Sequence, residues 1–128
     1  MMNMSNKVLR IIVDLDGTIC NLRKKGESYA DVLPKEGAID FLYELKRSGH
    51  VIVIHTARNM QTQGHNVGRV MKNVGLITLE WLEKYKVPYD EIYFGKPNGD
   101  ITIDDRALRL ESWKTLTLTD IYKLAKDE

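Results

Sequence analysis

The first apolar run of the chain ends abruptly, and where it ends constrains the fold more than any other feature. Val8-Leu9-Arg10-Ile11-Ile12-Val13 is short, rich in β-branched residues and stopped by Asp14-Leu15-Asp16-Gly17. A run of this length and composition reads as a buried strand of a parallel sheet. The pattern recurs three times: Val51-Ile52-Val53-Ile54 stops at His55-Thr56, Glu91-Ile92-Tyr93-Phe94 at Gly95-Lys96-Pro97, and Ile101-Thr102-Ile103 at Asp104-Asp105. Leu116-Thr117-Leu118 alternates weakly and reads as a fifth, edge strand.

Helical spacing fills the intervals. Pro34 opens a pattern with Ile39, Phe41, Leu42 and Leu45 on one face, which Gly49 stops. A second face runs through Val74, Ile77, Trp81, Leu82 and Tyr85 to Val87-Pro88, and a last helix starts at Thr119. Strands alternating with helices predict an α/β fold, a single Rossmann-like doubly wound parallel sheet. In such sheets ligands sit beyond the carboxyl ends of the strands, where all four runs carry polar residues. Between Ala57 and Asn73 the chain is polar and aperiodic, and a loop that long in a compact domain is often functional.

A length of 128 residues holds one domain, read here as 7–128 after a disordered or extended N-terminus at 1–6. With 43% hydrophobic and 29% charged residues the chain can bury a core, which excludes the disordered and fibrous classes. A net charge of +1 offers no general attraction to nucleic acid or to a membrane surface. Cys20 is alone, so neither an internal disulfide nor a multi-cysteine zinc site is available. The opening apolar run is too short for a signal peptide or a membrane span, and the expected location is the cytoplasm.

Asp14 and Asp16 stand two apart at a strand end, so persistent extended geometry would send both carboxylates to one side. Clustered acids repel unless a cation or a shared proton relieves them. Asp104 and Asp105 could add oxygen ligands of the kind Mg²⁺ takes, while Lys96 and Thr56 add an ammonium and a hydroxyl. Carboxylate, metal, hydroxyl and ammonium together suit a phosphoryl group, whose transfer depends on neutralising charge.

These residues resemble the haloacid dehalogenase-like superfamily of phosphatases and phosphotransferases. Its four motifs stand in order: Asp14-Leu15-Asp16-Gly17-Thr18, then Thr56, then Lys96, then Asp104-Asp105. Asp31-Val32-Leu33-Pro34, Thr56-Ala57-Arg58-Asn59-Met60, Val87-Pro88-Tyr89-Asp90-Glu91-Ile92 and Phe94-Gly95-Lys96-Pro97 look like a capless subgroup associated with capsular or other surface polysaccharide biosynthesis. The resemblance implies that Asp14 is the nucleophile and Asp16 the general acid and base. It implies that Thr56 holds a phosphoryl oxygen and that Lys96 neutralises the nucleophile and the phosphoryl charge. Mg²⁺ would be held by Asp14, the Asp16 carbonyl and Asp104, with Asp105 a ligand through water or an orienting group. Gly17 and Thr18 would form the turn out of the strand, and Gly17, Thr18, Ala57, Arg58 and Asn59 would line the substrate site. Arg58 in particular is expected at the rim, where its fork could take two oxygens of a sugar phosphate.

Asp16 to Thr56 and Thr56 to Lys96 are each 40 positions, which leaves no room for an inserted cap of ~50 residues. The site should be open, covered only by residues 19–33 with Tyr29 and Asp31, or closed by a homo-oligomer partner. Other readings compete. A response-regulator receiver shares the sheet, acids, Thr and Lys-Pro, but places its acceptor Asp on a middle strand, where this chain has Thr56. A non-catalytic phosphosugar-binding member and a nucleic-acid 3′-phosphatase use the same fold. His50, His55 and His65 lack metal-ligand spacing and read as packing or surface residues, Cys20 as a small, partly buried side chain.

Overall fold

The computed structural model describes residues 7–125, so the expectation for 1–6 lies outside the described residues. Three of the apolar runs form strands: β1 (Arg10–Asp14), β2 (Val51–Thr56) and β3 (Glu91–Phe94). They make one open parallel sheet in the order β1-β2-β3, with Val13 opposite Ile54 and Ile54 opposite Ile92. Helix α1 (Ala38–Arg47) links β1 to β2. Helix α2 (Val67–Val70), a π-helical turn (Met71–Gly75) and α3 (Leu76–Lys84) link β2 to β3, and α4 (Leu118–Ala125) comes last.

Alternation along the strands puts Ile11, Val13, Ile52, Ile54 and Ile92 on one face, and all five join the main core. Phe41, Leu42 and Leu45 of α1, Trp81 and Leu82 of α3, Trp113 and Leu118 complete it. Both crossovers step across the sheet in the same direction, and right-handed connections therefore lay α1 and α3 on the same side. The opposite face holds Arg10 bonded to Glu91, Tyr93, and an Ile12 that is 63% exposed on the edge strand. The described helices thus form one layer; the second layer of a doubly wound sheet is not among the described elements.

Two expected strands do not form. The chain over 101–103 pairs with no strand among the described residues, and Ile101 and Ile103 stand exposed, because three residues have no strand preference without a neighbour to ladder onto. At Leu116-Thr117-Leu118 a cap wins over weak alternation. The Thr117 hydroxyl accepts the Asp120 amide (3.2 Å) and the Asp120 carboxylate accepts the Thr117 amide (3.0 Å), a reciprocal box that starts α4 at Leu118.

The polar stretch 57–73 is also not loop throughout. Asn66 accepts the Arg69 amide (3.0 Å) and caps α2. Val70, Val74, Thr78 and Leu82 are buried at four-residue steps, a row that drifts by about 40° per step on an ideal α-helix. The wider π turn takes out part of that drift and keeps the row facing inward. Among the described residues no helix is long and apolar enough to cross a membrane.

Candidate active site

The parallel ladder continues past the ends of β1 and β3 and fixes the first residue beyond β1 and the second beyond β3. The Leu15 amide donates to the His55 carbonyl (3.2 Å) and the Lys96 amide to the Thr56 carbonyl (3.1 Å). The chain then leaves β1 at Gly17, where φ is 82°, and the amides of Thr18, Ile19 and Cys20 converge on the Leu15 carbonyl at 3.2, 2.9 and 3.1 Å. At Gly95 φ is 95° and a Cβ would lie 2.9 Å from Val67 Cγ2, so only glycine brings Lys96 in over the end of β2.

The two carboxylates have different surroundings. Asp14 Oδ1 lies 3.2 Å from Lys96 Nζ, and Oδ2 accepts the Thr18 hydroxyl at 3.4 Å. The two side chains of that pair are 34% and 33% exposed, which leaves Asp14 within reach of an incoming group. Asp16 is held from inside. Arg58 Nε donates to Oδ1 (2.9 Å) and Oδ2 (3.2 Å), the Thr56 hydroxyl donates to Oδ2 (3.0 Å), and the Cys20 thiol lies 3.7 Å from Oδ1.

Several residues do not stand where the sequence places them. Arg58 is not at the rim, where the sequence places it: its side chain is 0% exposed. Its Nη1 donates to Thr78 Oγ1 (3.0 Å), Nη2 lies 3.7 Å from Cys20 Sγ, and the guanidinium sits 4.1 Å over the Tyr29 ring. Thr56 is buried, and its hydroxyl proton is committed to Asp16 while its oxygen accepts the Arg58 amide (3.1 Å). In this arrangement Thr56 holds Asp16 and presents no free donor to a phosphoryl oxygen. Ala57 packs against Met60, Val70 and Val74, and Asn59 is half-buried with φ 57°. Gly17 is exposed and Thr18 half-buried beside Asp14.

Asp104 and Asp105 remain apart from this cluster. Both are exposed, and Asp104 Oδ1 accepts the Arg106 amide at 2.8 Å in a local turn. Among the described residues no three His, Cys, Asp or Glu side chains gather as a metal group needs. Asp14 and Asp16 offer the hard oxygen donors that Mg²⁺ takes, but as they stand the residues do not complete a set for it.

Burial first, then Lys96, pushes the His55 imidazole below its ordinary range against the pull of Asp14, so it is neutral near pH 7. Burial and the Asp16 charge push the Cys20 thiol up to about 11, outweighing Arg58, so it is neither a thiolate nor a nucleophile. Thr78 escaped the sequence reading. Its signal was there, a hydroxyl on an otherwise apolar buried row, which asks for a polar partner.

Fold and site together define an α/β protein with a pair of differently held carboxylates at the end of a parallel sheet. No family profile and no curated protein matches the chain. A crystal structure of a target protein from Vibrio cholerae does, at 42% identity over 91% of this chain and 96% of that one, with a TM-score of 0.81. This chain belongs to the same family as that Vibrio cholerae protein.

Proposed function

We propose that the protein is a phosphomonoester hydrolase of the haloacid dehalogenase-like kind, acting in the cytoplasm on a phosphorylated sugar of surface polysaccharide biosynthesis. The observation that carries the reading is the division of labour between the carboxylates: Asp14 partly exposed against Lys96, Asp16 anchored by Thr56 and Arg58. An Asp14 oxygen attacks phosphorus and forms an acyl phosphate as the bond to the leaving oxygen breaks. Asp16 gives that oxygen a proton, then takes one from the water that attacks the acyl phosphate and frees Asp14. Lys96 neutralises charge on the nucleophile and the phosphoryl group.

Mg²⁺ would supply further charge neutralisation. Its donor set needs Asp104, and the open edge of β1 supports a route. Ile12 is exposed on that edge and Ile101 and Ile103 are exposed beside Asp104, so laying 101–103 along β1 would cover all three and complete a Rossmann-like core. A second copy closing the open site belongs to the same proposal.

One observation favours a second reading, a non-catalytic phosphosugar-binding protein: no third metal-ligating side chain joins Asp14 and Asp16 among the described residues. Turnover of p-nitrophenyl phosphate, sugar phosphates and 3′-phosphorylated oligonucleotides, in Mg²⁺ and in excess chelator, decides. We expect Mg²⁺-dependent release of phosphate, strongest on sugar phosphates, and an acyl phosphate trapped on the wild type and absent from Asp14→Asn. Binding without turnover would establish the second reading, and preference for oligonucleotide ends would move the substrate to nucleic acid.

A further inference from the structure

We propose that Arg58 is a positioning residue, which holds the Asp16 carboxylate in the one orientation from which it can exchange a proton with the leaving oxygen. The inference rests on the hydrolase reading and adds a residue to it. With its side chain fully buried beside an Asp16 that is 22% exposed, the guanidinium touches Asp16 on the side away from solvent.

The bonds that Thr78 and Thr56 make around the pair have a fixed sense. Thr78 donates its one hydroxyl proton to the Val74 carbonyl (2.6 Å), so towards Arg58 Nη1 its oxygen only accepts. Thr56 spends its proton on Asp16 Oδ2 and accepts the Arg58 amide. No buried side-chain nitrogen or oxygen among the described residues lacks a partner, so Arg58 has no alternative pose that costs nothing. Tyr29 covers the outer face of the guanidinium and shuts it off from solvent.

Asp16 therefore meets a substrate with its inward lone pairs already taken, and only the outward part of the carboxylate is free to reach the leaving oxygen. Proton transfer needs a heavy-atom separation of about 2.6–3.2 Å, and a misplacement of ~1 Å costs on the order of 10²-fold. Lysine cannot replace the arrangement, because a point charge on a flexible stem lacks the Nε that Asp16 uses and the planar fork that Thr78 and Tyr29 hold.

The test compares a substrate that needs its leaving group protonated, an alkyl phosphate such as glycerol phosphate, with p-nitrophenyl phosphate, whose leaving group departs nearly unaided. Arg58→Lys should lower kcat/KM, which reports formation of the acyl phosphate and not its shared hydrolysis, by ~10²-fold on the alkyl phosphate and by less than ~10-fold on p-nitrophenyl phosphate. Thr78→Val, which removes the rear support and leaves the charge, should show the same split at smaller size. In an Asp16→Asn background the Arg58→Lys change should cost less than about twofold more. Circular dichroism and thermal unfolding verify that each variant is folded. Equal losses of kcat/KM on both substrates, or a full additional loss in the Asp16→Asn background, would overturn the positioning role while leaving the hydrolase reading intact. A wild type that turns over neither substrate would overturn both.

Discussion

Residues 14–35 and residues 95–109 both extend from the carboxyl end of the sheet, and they end in opposite conditions. The first stretch folds back so that Leu15, Ile19, Cys20 and Val32 enter the core, with the Trp113 indole donating to the Thr18 carbonyl and the Trp81 indole to the Val32 carbonyl, each at 2.8 Å. In the second stretch every residue from 97 to 109 is exposed. Each carries three aspartates, yet Asp16 gains a buried cation and a buried hydroxyl, while Asp104 gains only the amide two residues on. What a carboxylate can do is set by the long-range packing behind it, and only the first stretch has apolar residues spaced to secure that packing.

Removing a core residue from the packed side tests the contrast most severely. Trp81→Ala should cost about 3–5 kcal/mol in urea unfolding, through lost burial, a cavity and an orphaned Val32 carbonyl. A cost under ~1 kcal/mol would mean the first stretch is not held as described.

Asp90 gives an intermediate case, a surface tie at the other end of the sheet. It bonds to Lys46 of α1 at 2.7 and 2.9 Å and accepts the Ile52 amide at 2.8 Å, and these hold its carboxyl below the usual range, the Lys46 bond first. Asp90→Ala should cost about 1 kcal/mol at neutral pH. Because the folded value is depressed, that stability is present above the ordinary carboxylate pKa of about 3.9 and is lost as pH falls through the lower folded value. The difference between wild type and variant should therefore shrink in acid below about pH 4; a difference that stays constant there would rule out the ion pair as its source.

The smallest effect is expected in the exposed stretch. The double change Ile101→Ser with Ile103→Ser should alter unfolding free energy by less than about 0.5 kcal/mol in the absence of metal. A larger loss would break the comparison and place 101–103 against the sheet.

The three strands and the buried faces of α1 and α3 were legible because their periodicity is carried by many residues at once, as in Phe41, Leu42 and Leu45, although Ala38 and not Ile39 completes the fully buried row of α1. The helical entry at Asn66 and the π turn were not, since exposed polar residues dominate 57–73 and a four-residue row is no period of an ideal helix. The start of α4 was misread because Thr117 serves equally as a strand residue and as a cap, and only the pairing with Asp120 decides. At the site, the sequence gathered Asp14, Asp16, Thr56 and Lys96 at strand ends, where the structure has them. It could not tell that Arg58, two residues past Thr56, turns inward, because that direction depends on Thr78 and Tyr29, which lie 20 and 29 positions away. Nor could it tell that Asp104 would lie apart, since a three-residue run carries no information about which edge it meets.

The chain has two tryptophans, and both indole N–H groups are committed to one stretch, at Thr18 near its start and at Val32 near its end. Intrinsic ultraviolet emission from this protein is thus a gauge of the segment that covers the carboxylates, read from both of its anchor points. Any ligand that lifts or tightens that cover registers in the native fluorescence, with no label and no engineered probe.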